Sequence, residues 1–432
     1  MSAGEKVHFV GAAGFGVSAL AQFHVMGGGS ATGSDRTFDS GGAAELREKL
    51  EKLGVRIFPQ DGSALDGTYA YAVASTAIEK DNQDLERVRA LGLKLVHRAD
   101  ALEQYVAAHK TIAVAGTSGK STVVAMIFEI LEAAALSPSV ITGGALTSLV
   151  RRGFVGNAYR GKSELLVVES DESDGTLVRY RPWLGVYLNI SKDHQDLTEL
   201  ERLFAEFRRN SVEWLDATAL RAASVEAGPA GSRFVVDGQD FSLPVPGLHN
   251  VENALAAIAA CRKAGVALPV CAKALGGFQG VSRRFESVGT SRGVEVIDDF
   301  AHNPVKVAAA LAAAHLRAKR VLSVFQLHGF APARFMKAEF LDAFAASLAP
   351  GDVLYLPEIF YAGGTAAKDI SAADYARELK ARGKDARFFA DRSAIAADIA
   401  REAKSGDLVI SMGARDPSLP GFARDLLASL GK

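Results

Sequence analysis

Lys120 follows the small-residue run Gly116, Thr117, Ser118 and Gly119 and precedes two hydroxyls, Ser121 and Thr122, in the segment TIAVAGTSGKST. A lysine and paired hydroxyls after a glycine turn suit the binding of a polyphosphate. Backbone N–H groups of such a turn can surround phosphate oxygens, the lysine can reach the terminal phosphates, and one hydroxyl can coordinate magnesium. The strict phosphate-loop pattern has its first glycine where Val114 stands. The residues alone therefore leave an ordinary strand-to-helix turn with a solvated lysine as the competing reading. Further along, Glu169, Asp171, Glu172 and Asp174 follow the apolar run LLVV, and Asp193 and His194 follow LGVYLNI. Ligands collect beyond the carboxyl ends of strands in open α/β sheets. Glu169, His194 and the loop hydroxyl of Ser121 are accordingly the expected metal set, with magnesium as the ion. Acidic helix caps and a surface histidine are the plain alternative.

These residues need strands and helices to hold them, and the chain supplies both in alternation. A strand over VHFV leads into a glycine turn and a helix near 17–26, with further strands near 72–74 and 94–96 and a helix over 99–108. A second block opens with TIAVA and contains LLVV and LGVYLNI; its stretch 227–246 reads as loop-rich. A third alternation follows GVSRRFE: VEVID, a helix after Pro304, RVLSVF, a helix over 337–348, DVLYLP and DLVISM. Such alternation predicts an α/β chain with parallel sheets covered by helices. A length of 432 residues suits about three domains, which the patterns divide as 1–108, 109–285 and 286–432.

Composition narrows the function classes. The chain has 49 basic and 50 acidic residues, a balance that argues against a general grip on nucleic acid. No apolar stretch reaches the roughly 18 residues of a membrane span. The N-terminus lacks the pattern of a secretory signal, so a cytoplasmic protein is expected. Cys261 and Cys271, without zinc spacing around them, read as reduced structural thiols. Gly11, Gly14 and Gly16 in GAAGFG suggest a nucleotide turn only weakly, because close helix–strand packing also selects glycine.

Six ordered segments resemble the Mur ligase family, and the likeness extends across essentially the whole chain. They are GTSGKST, VVESDESDG, NISKDHQDL, PGLHNVENALAA, GVSRRFE and VIDDFAHNP. VHFVGAAGFGVSALA, GSD, ASTAIEKDNQDL and LVHRADAL are similar to the alanine-adding branch of that family. The resemblance implies a Rossmann-like N-terminal domain for a UDP-sugar, a central phosphate-loop domain for ATP, and an α/β C-terminal domain for the amino substrate. It implies ATP-dependent amide formation on UDP-N-acetylmuramate, with L-alanine or a short peptide as acceptor, by a monomer or homodimer. Lys120, Glu169, His194 and Arg284 would be catalytic, and Asn250, Asn253, Asp299, His302 and Asn303 would complete the ATP site. Gly11, Gly14, Phe15, Gly16, Ser34, Asp35, Ser75, Thr76, His97 and Arg98 would meet the sugar nucleotide. Arg283 stays unassigned.

In FQLHGFAPAR, which is similar to the branch's FQPHRYTRTR, His328 and Arg334 would face the amino substrate. Gly329 stands in place of the first arginine, Ser118 in place of the loop histidine, and the stretch from Phe207 to Pro246 is short. These departures leave room for a ligase using another acid and amine. A nucleotide-binding regulator without catalysis is the alternative from a different class.

Overall fold

The computed structural model describes residues 4–171, 175–190, 197–361 and 367–431. The chain divides into two compact units: Met1–Val225 with Arg233–Pro244 and His249–Val281, and Ser282–Lys432 with Glu226–Ser232 and Val245–Leu248. Glu172, Asp174, Asp193 and His194 lie outside the described residues.

The first unit carries two sheets. β1 (Lys6–Val10), β2 (Ser30–Ser34), β3 (Arg56–Phe58), β4 (Tyr71–Ala74) and β5 (Lys94–His97) run in the order β3-β2-β1-β4-β5, all parallel. The connections reverse at β1, the kind of switch point beyond which ligands bind, and Gly11–Gly16 follow it. β6 (Lys110–Ala115), β7 (Ser139–Ile141), β8 (Ala158–Tyr159), β9 (Leu165–Ser170), β10 (Leu184–Tyr187) and β11 (Glu213–Asp216) form the order β11-β10-β6-β9-β7-β8. Here β6 lies between β10 and β9, with Ala115 level with both Tyr187 and Ser170. Three chemistry-bearing loops therefore leave the same sheet edge. Ile112 to Ala115 and Leu166 to Val168 are fully buried, as expected of parallel strands covered on both faces. That is why these runs are apolar without alternation.

The two sheets share an apolar cluster that includes Phe9, Phe23, Tyr105, Ala113, Leu166, Val168 and Phe207. Asn157 ties them further: its Oδ1 accepts from Gln22 at 2.8 Å, and its Nδ2 donates to the Phe15 carbonyl at 2.7 Å. The expected division at residue 108 separates the sheets in sequence, although both belong to one compact unit.

The stretch expected to be loop-rich instead forms a three-stranded sheet, β12 (Ala223–Gly228), β13 (Gly231–Val236) and β14 (Gln239–Leu243). Phe234, Phe241 and Leu243 are buried at alternating positions, and Asp237 and Gly238 both take positive φ, 48° and 80°. That pair is the signature of a tight hairpin turn.

In the second unit, β15 (Glu286–Ser291), β16 (Val294–Asp299), β17 (Val321–Phe325), β18 (Val353–Pro357), β19 (Ala386–Phe389) and β20 (Leu408–Met412) run in the order β15-β16-β20-β17-β18-β19, with β15 antiparallel at the edge. Successive residues feed opposite faces: Ile297, Val321 and Ile410 join one apolar cluster, and Val296, Leu322 and Val409 the other. The helix Pro304–Arg317 begins with proline after the capping side chain of Asn303, which accepts from Lys306 N–H at 2.9 Å.

Candidate active site

The turn after β6 depends on glycine at both ends. Gly116 has φ of +150°, and a Cβ there would meet the Leu188 Cβ at 2.9 Å and Asn189 backbone atoms at 3.2 Å. Gly119 has φ of +87° and caps the helix Lys120–Ala133; a Cβ on it would come within 2.3 Å of Asn253 Oδ1. Asn253 Nδ2 in turn donates to Asn250 Oδ1 at 3.3 Å, and both asparagines are buried. The structure therefore brings Gly116, Gly119, Asn250 and Asn253 together around the start of one helix, whose N-terminus favours negative charge.

Asn189, just beyond β10, pins the turn. Its Oδ1 accepts from the Thr117 hydroxyl and the Ser118 N–H, each at 3.0 Å, and its Nδ2 donates to the Ser118 carbonyl at 3.1 Å. Thr117 N–H also reaches the Asn189 carbonyl at 3.2 Å. Lys120 Nζ donates to the Gly116 carbonyl at 2.7 Å and lies 3.7 Å from Asp171. Its ammonium is therefore held within the turn.

Glu169, the penultimate residue of β9, is level with Val114, two residues before Gly116. Its Oε2 accepts from the Ser121 hydroxyl at 2.8 Å, the Thr142 hydroxyl at 2.9 Å and the Gly143 N–H at 2.9 Å. Among the described residues no three His, Cys, Asp or Glu side chains cluster as a metal site. Glu169 and Ser121 nonetheless present hard oxygen donors beside a phosphate-type turn, the chemistry magnesium prefers. His194, expected as a further ligand, lies outside the described residues. Thr122 follows on the same helix and is partly exposed.

Asn189 and Thr142 were not singled out from the sequence. Asn189 opens the NISKDH segment, so a signal existed. Thr142 meets Glu169 from 27 residues away, and nothing local marks it.

At the first sheet, Gly11 has φ of +83°, and its N–H and that of Ala12 donate to the Ser34 carbonyl, each at 2.9 Å. Gly14 donates to the Gly11 carbonyl at 3.0 Å, and Phe15 is exposed. Arg98 packs against Gly16, where a Cβ would be 3.0 Å from its Cδ and Nη1. Asp35 joins both elements: Oδ2 accepts from Ala13 N–H at 3.0 Å and Oδ1 from Thr37 N–H at 2.8 Å. Ser34 is fully buried and donates to Asp84, a carboxylate also 3.4 Å from His8 Nε2. Its hydroxyl therefore braces the interior of the sheet edge. Ser75 accepts from Ala77 N–H at 3.3 Å, and Thr76 beside it is exposed. His97 caps the following helix by accepting from Ala99 N–H at 3.2 Å.

In the second unit, Asp299 spends both oxygens on backbone, accepting from Phe285 N–H at 2.6 Å and Ala301 N–H at 2.7 Å. Burial pushes its carboxyl up, with the Arg284 guanidinium opposing. The Arg284 guanidinium lies 5.1 Å from the Phe300 ring centre. His302 bonds the Phe300 carbonyl at 2.8 Å, and its ring centre is 6.0 Å from that of His328. Arg334 pairs with Asp369 at the surface and also donates to the Ala367 carbonyl at 3.2 Å. Gly329 has φ of 70° and ψ of 129°, a conformation that a side chain would strain.

Residues 6–110 match the Mur ligase family, catalytic domain, and residues 283–415 match the Mur ligase, glutamate ligase domain. The UDP-N-acetylmuramate–L-alanine ligase of Synechococcus sp. (strain RCC307) is 34% identical, covering 96% of this chain and 94% of that protein. The chain belongs to the Mur ligase family. The corresponding enzyme of Phenylobacterium zucineum (strain HLK1) is 33% identical over 98% of this chain and 97% of its own length. Among solved Mur ligases, UDP-N-acetylmuramate-alanine ligase from Thermotoga maritima matches with a TM-score of 0.79 and 25% identity, covering 98% of this chain and 99% of that one. The murein peptide ligase of Psychrobacter arcticus shares the fold, with a TM-score of 0.70 at 23% identity over 99% of each chain.

Proposed function

We propose that this Mur ligase joins the carboxylate of UDP-N-acetylmuramate to L-alanine or a short peptide, consuming ATP and releasing ADP and phosphate. The observation that carries the reading is the phosphate turn with Lys120 inside it and Glu169 bonded to Ser121, in a chain one-third identical to alanine-adding ligases along its length. A carboxylate is a poor electrophile, so the reaction needs a better leaving group. Its oxygen attacks the γ-phosphorus, the bond to the bridging oxygen breaks, and ADP departs to leave an acyl phosphate. The amine then attacks the acyl carbon, the tetrahedral adduct expels phosphate, and the amine loses a proton.

In this scheme Lys120 and Arg284 offset charge on the transferring phosphoryl group. Glu169 and Ser121, with His194, would hold magnesium, which when bound neutralises phosphate charge. Asn250 and Asn253, buried against the turn, would define its nucleotide side, together with Asp299, His302 and Asn303. Phe15, Gly16 and Arg98 would meet the sugar nucleotide, with Gly11, Gly14, Ser34, Asp35, Ser75, Thr76 and His97 forming or bracing that edge. The functional division would follow 1–108, 109–285 and 286–432. No helix among the described residues is long and apolar enough to cross a membrane. Separately, a cytoplasmic location accords with nucleotide substrates, and a monomer or homodimer remains the expected assembly.

Gly329 stands between His328 and Arg334 where the alanine-adding branch has an arginine, so a peptide acceptor is kept beside L-alanine. Phosphate release from ATP and magnesium with UDP-N-acetylmuramate, acceptors added singly and products identified by mass, tests the function. Amide formation with one acceptor, abolished by Lys120→Ala, is expected. ATP binding without acceptor-dependent turnover would favour a regulator or a ligase of other substrates.

A further inference from the structure

Arg283 and Arg284 are adjacent, yet the structure divides their tasks. Arg283 spends its backbone N–H and its guanidinium inside its own unit. Its N–H donates to Glu286 Oε2 at 2.8 Å, Nε to Asp298 Oδ2 at 3.0 Å, Nη2 to the Gly413 carbonyl at 2.8 Å and Nη1 to the Ala414 carbonyl at 3.3 Å. Its carbonyl accepts from Phe300 N–H at 2.6 Å. The guanidinium thus spans the ends of β16 and β20, neighbouring parallel strands, and Gly413 N–H closes the circuit on the Asp299 carbonyl at 3.2 Å.

The backbone needs such a clamp. Arg283 and Phe285 have φ of 60° and 50°, left-handed conformations that strain a non-glycine residue. They persist only where neighbours over-determine them. Arg284 sits between these two residues, so its direction depends on both. Phe285 is held through its N–H by Asp299, and Arg283 by the fork just described. The guanidinium carbons of Arg283 and Arg284 each lie 5.1 Å from the Phe300 ring centre, so one aromatic ring registers the two side chains.

We infer that Arg283 is a positioning residue whose forked hold on Asp298, Gly413 and Ala414 aims Arg284 at the transferring phosphoryl group. The inference rests on the proposed ligase function for the role of Arg284. Lysine at 283 keeps the charge beside Asp298 but cannot reproduce a fork to two carbonyls, so Arg283→Lys separates aim from charge balance.

The test is a double-mutant cycle on the full-length protein with R283K, R284K and the double variant, reading kcat, KM for each substrate and Tm. R283K should lower kcat about tenfold with KM for the sugar nucleotide unchanged. In the R284K background the same change should cost less than about twofold, because a residue acting only through Arg284 has little left to act on. Equal factors in both backgrounds, or wild-type kcat in R283K, would overturn the inference. If R283K melts well below the wild type, Phe300→Leu takes its place, with the same coupling expected. If the wild-type protein turns over no acceptor, the ligase reading fails. The cycle is then read on MgATP dissociation constants, where R283K should weaken binding severalfold only while Arg284 is present, and unchanged affinity refutes it.

Discussion

Replacing Asn189 by alanine should loosen the phosphate turn without unfolding the protein. The change removes three side-chain hydrogen bonds, from the Thr117 hydroxyl at 3.0 Å, from Ser118 N–H at 3.0 Å and to the Ser118 carbonyl at 3.1 Å. Each contributes about 0.5–1.5 kcal/mol net, and the site is partly open to water, so the loss is about 2 kcal/mol. That shifts the ratio of ordered to open turn by roughly 30-fold. If only the ordered turn binds ATP, apparent affinity falls by the fraction that remains ordered, so about 30-fold is the ceiling. Steady-state phosphate release with ATP titrated at saturating sugar nucleotide should show KM for ATP rising about tenfold or more, while Tm barely changes. Asn189→Asp keeps the acceptors but adds negative charge beside the phosphates, so its KM should rise as well. Thr117→Val should be subadditive with N189A, since both remove one shared bond. A KM within twofold of wild type in N189A, or a loss that merely follows a fall in Tm, would refute the argument.

Gly116→Ala forces a Cβ to within 2.9 Å of the Leu188 Cβ at φ of +150°; strain of about 1–3 kcal/mol should cut kcat/KM for ATP at least tenfold at unchanged circular dichroism, and normal kinetics would contradict the turn geometry. Thr142→Val takes one of three donors from Glu169 Oε2 and should raise the magnesium needed for half-maximal phosphate release about tenfold, whereas an unchanged titration would separate Thr142 from the metal. Burial lifts the Glu129 carboxyl from 4.5 to about 7. The folded chain therefore binds more protons than the unfolded one between about pH 4.5 and 7, and this group's contribution to stability falls through that window as pH rises. Glu129→Gln should flatten that slope and stabilise the protein at pH 8 by up to about 3 kcal/mol; parallel melting curves for both proteins at pH 5.5 and 8 would exclude the effect.

Much of the fold was legible because its signals are local. The runs around β6, β9 and β10 are apolar because both sheet faces are covered, and the glycine turn follows β6 directly. The hairpin strands β13 and β14 escaped notice although Phe234, Phe241 and Leu243 alternate inward; glycine and charged residues between them gave the stretch the composition of a loop. At Ser34, expected to meet the sugar nucleotide, the hydroxyl is buried against Asp84. A hydroxyl at a strand end serves a ligand or the interior equally well.

Taken alone, the sequence determined the α/β class, the phosphate turn ending in Lys120, the acidic strand end at Glu169 and the family likeness, since each is written in contiguous residues. Tertiary structure decided which side chains govern those groups. Asn189 reaches Ser118 across 71 positions, Thr142 reaches Glu169 across 27, and Arg283 reaches Gly413 across 130. Strand order sets those meetings, because parallel neighbours bring distant strand ends to one edge. A hydrogen bond formed there depends on separation in space, which no spacing along the chain records.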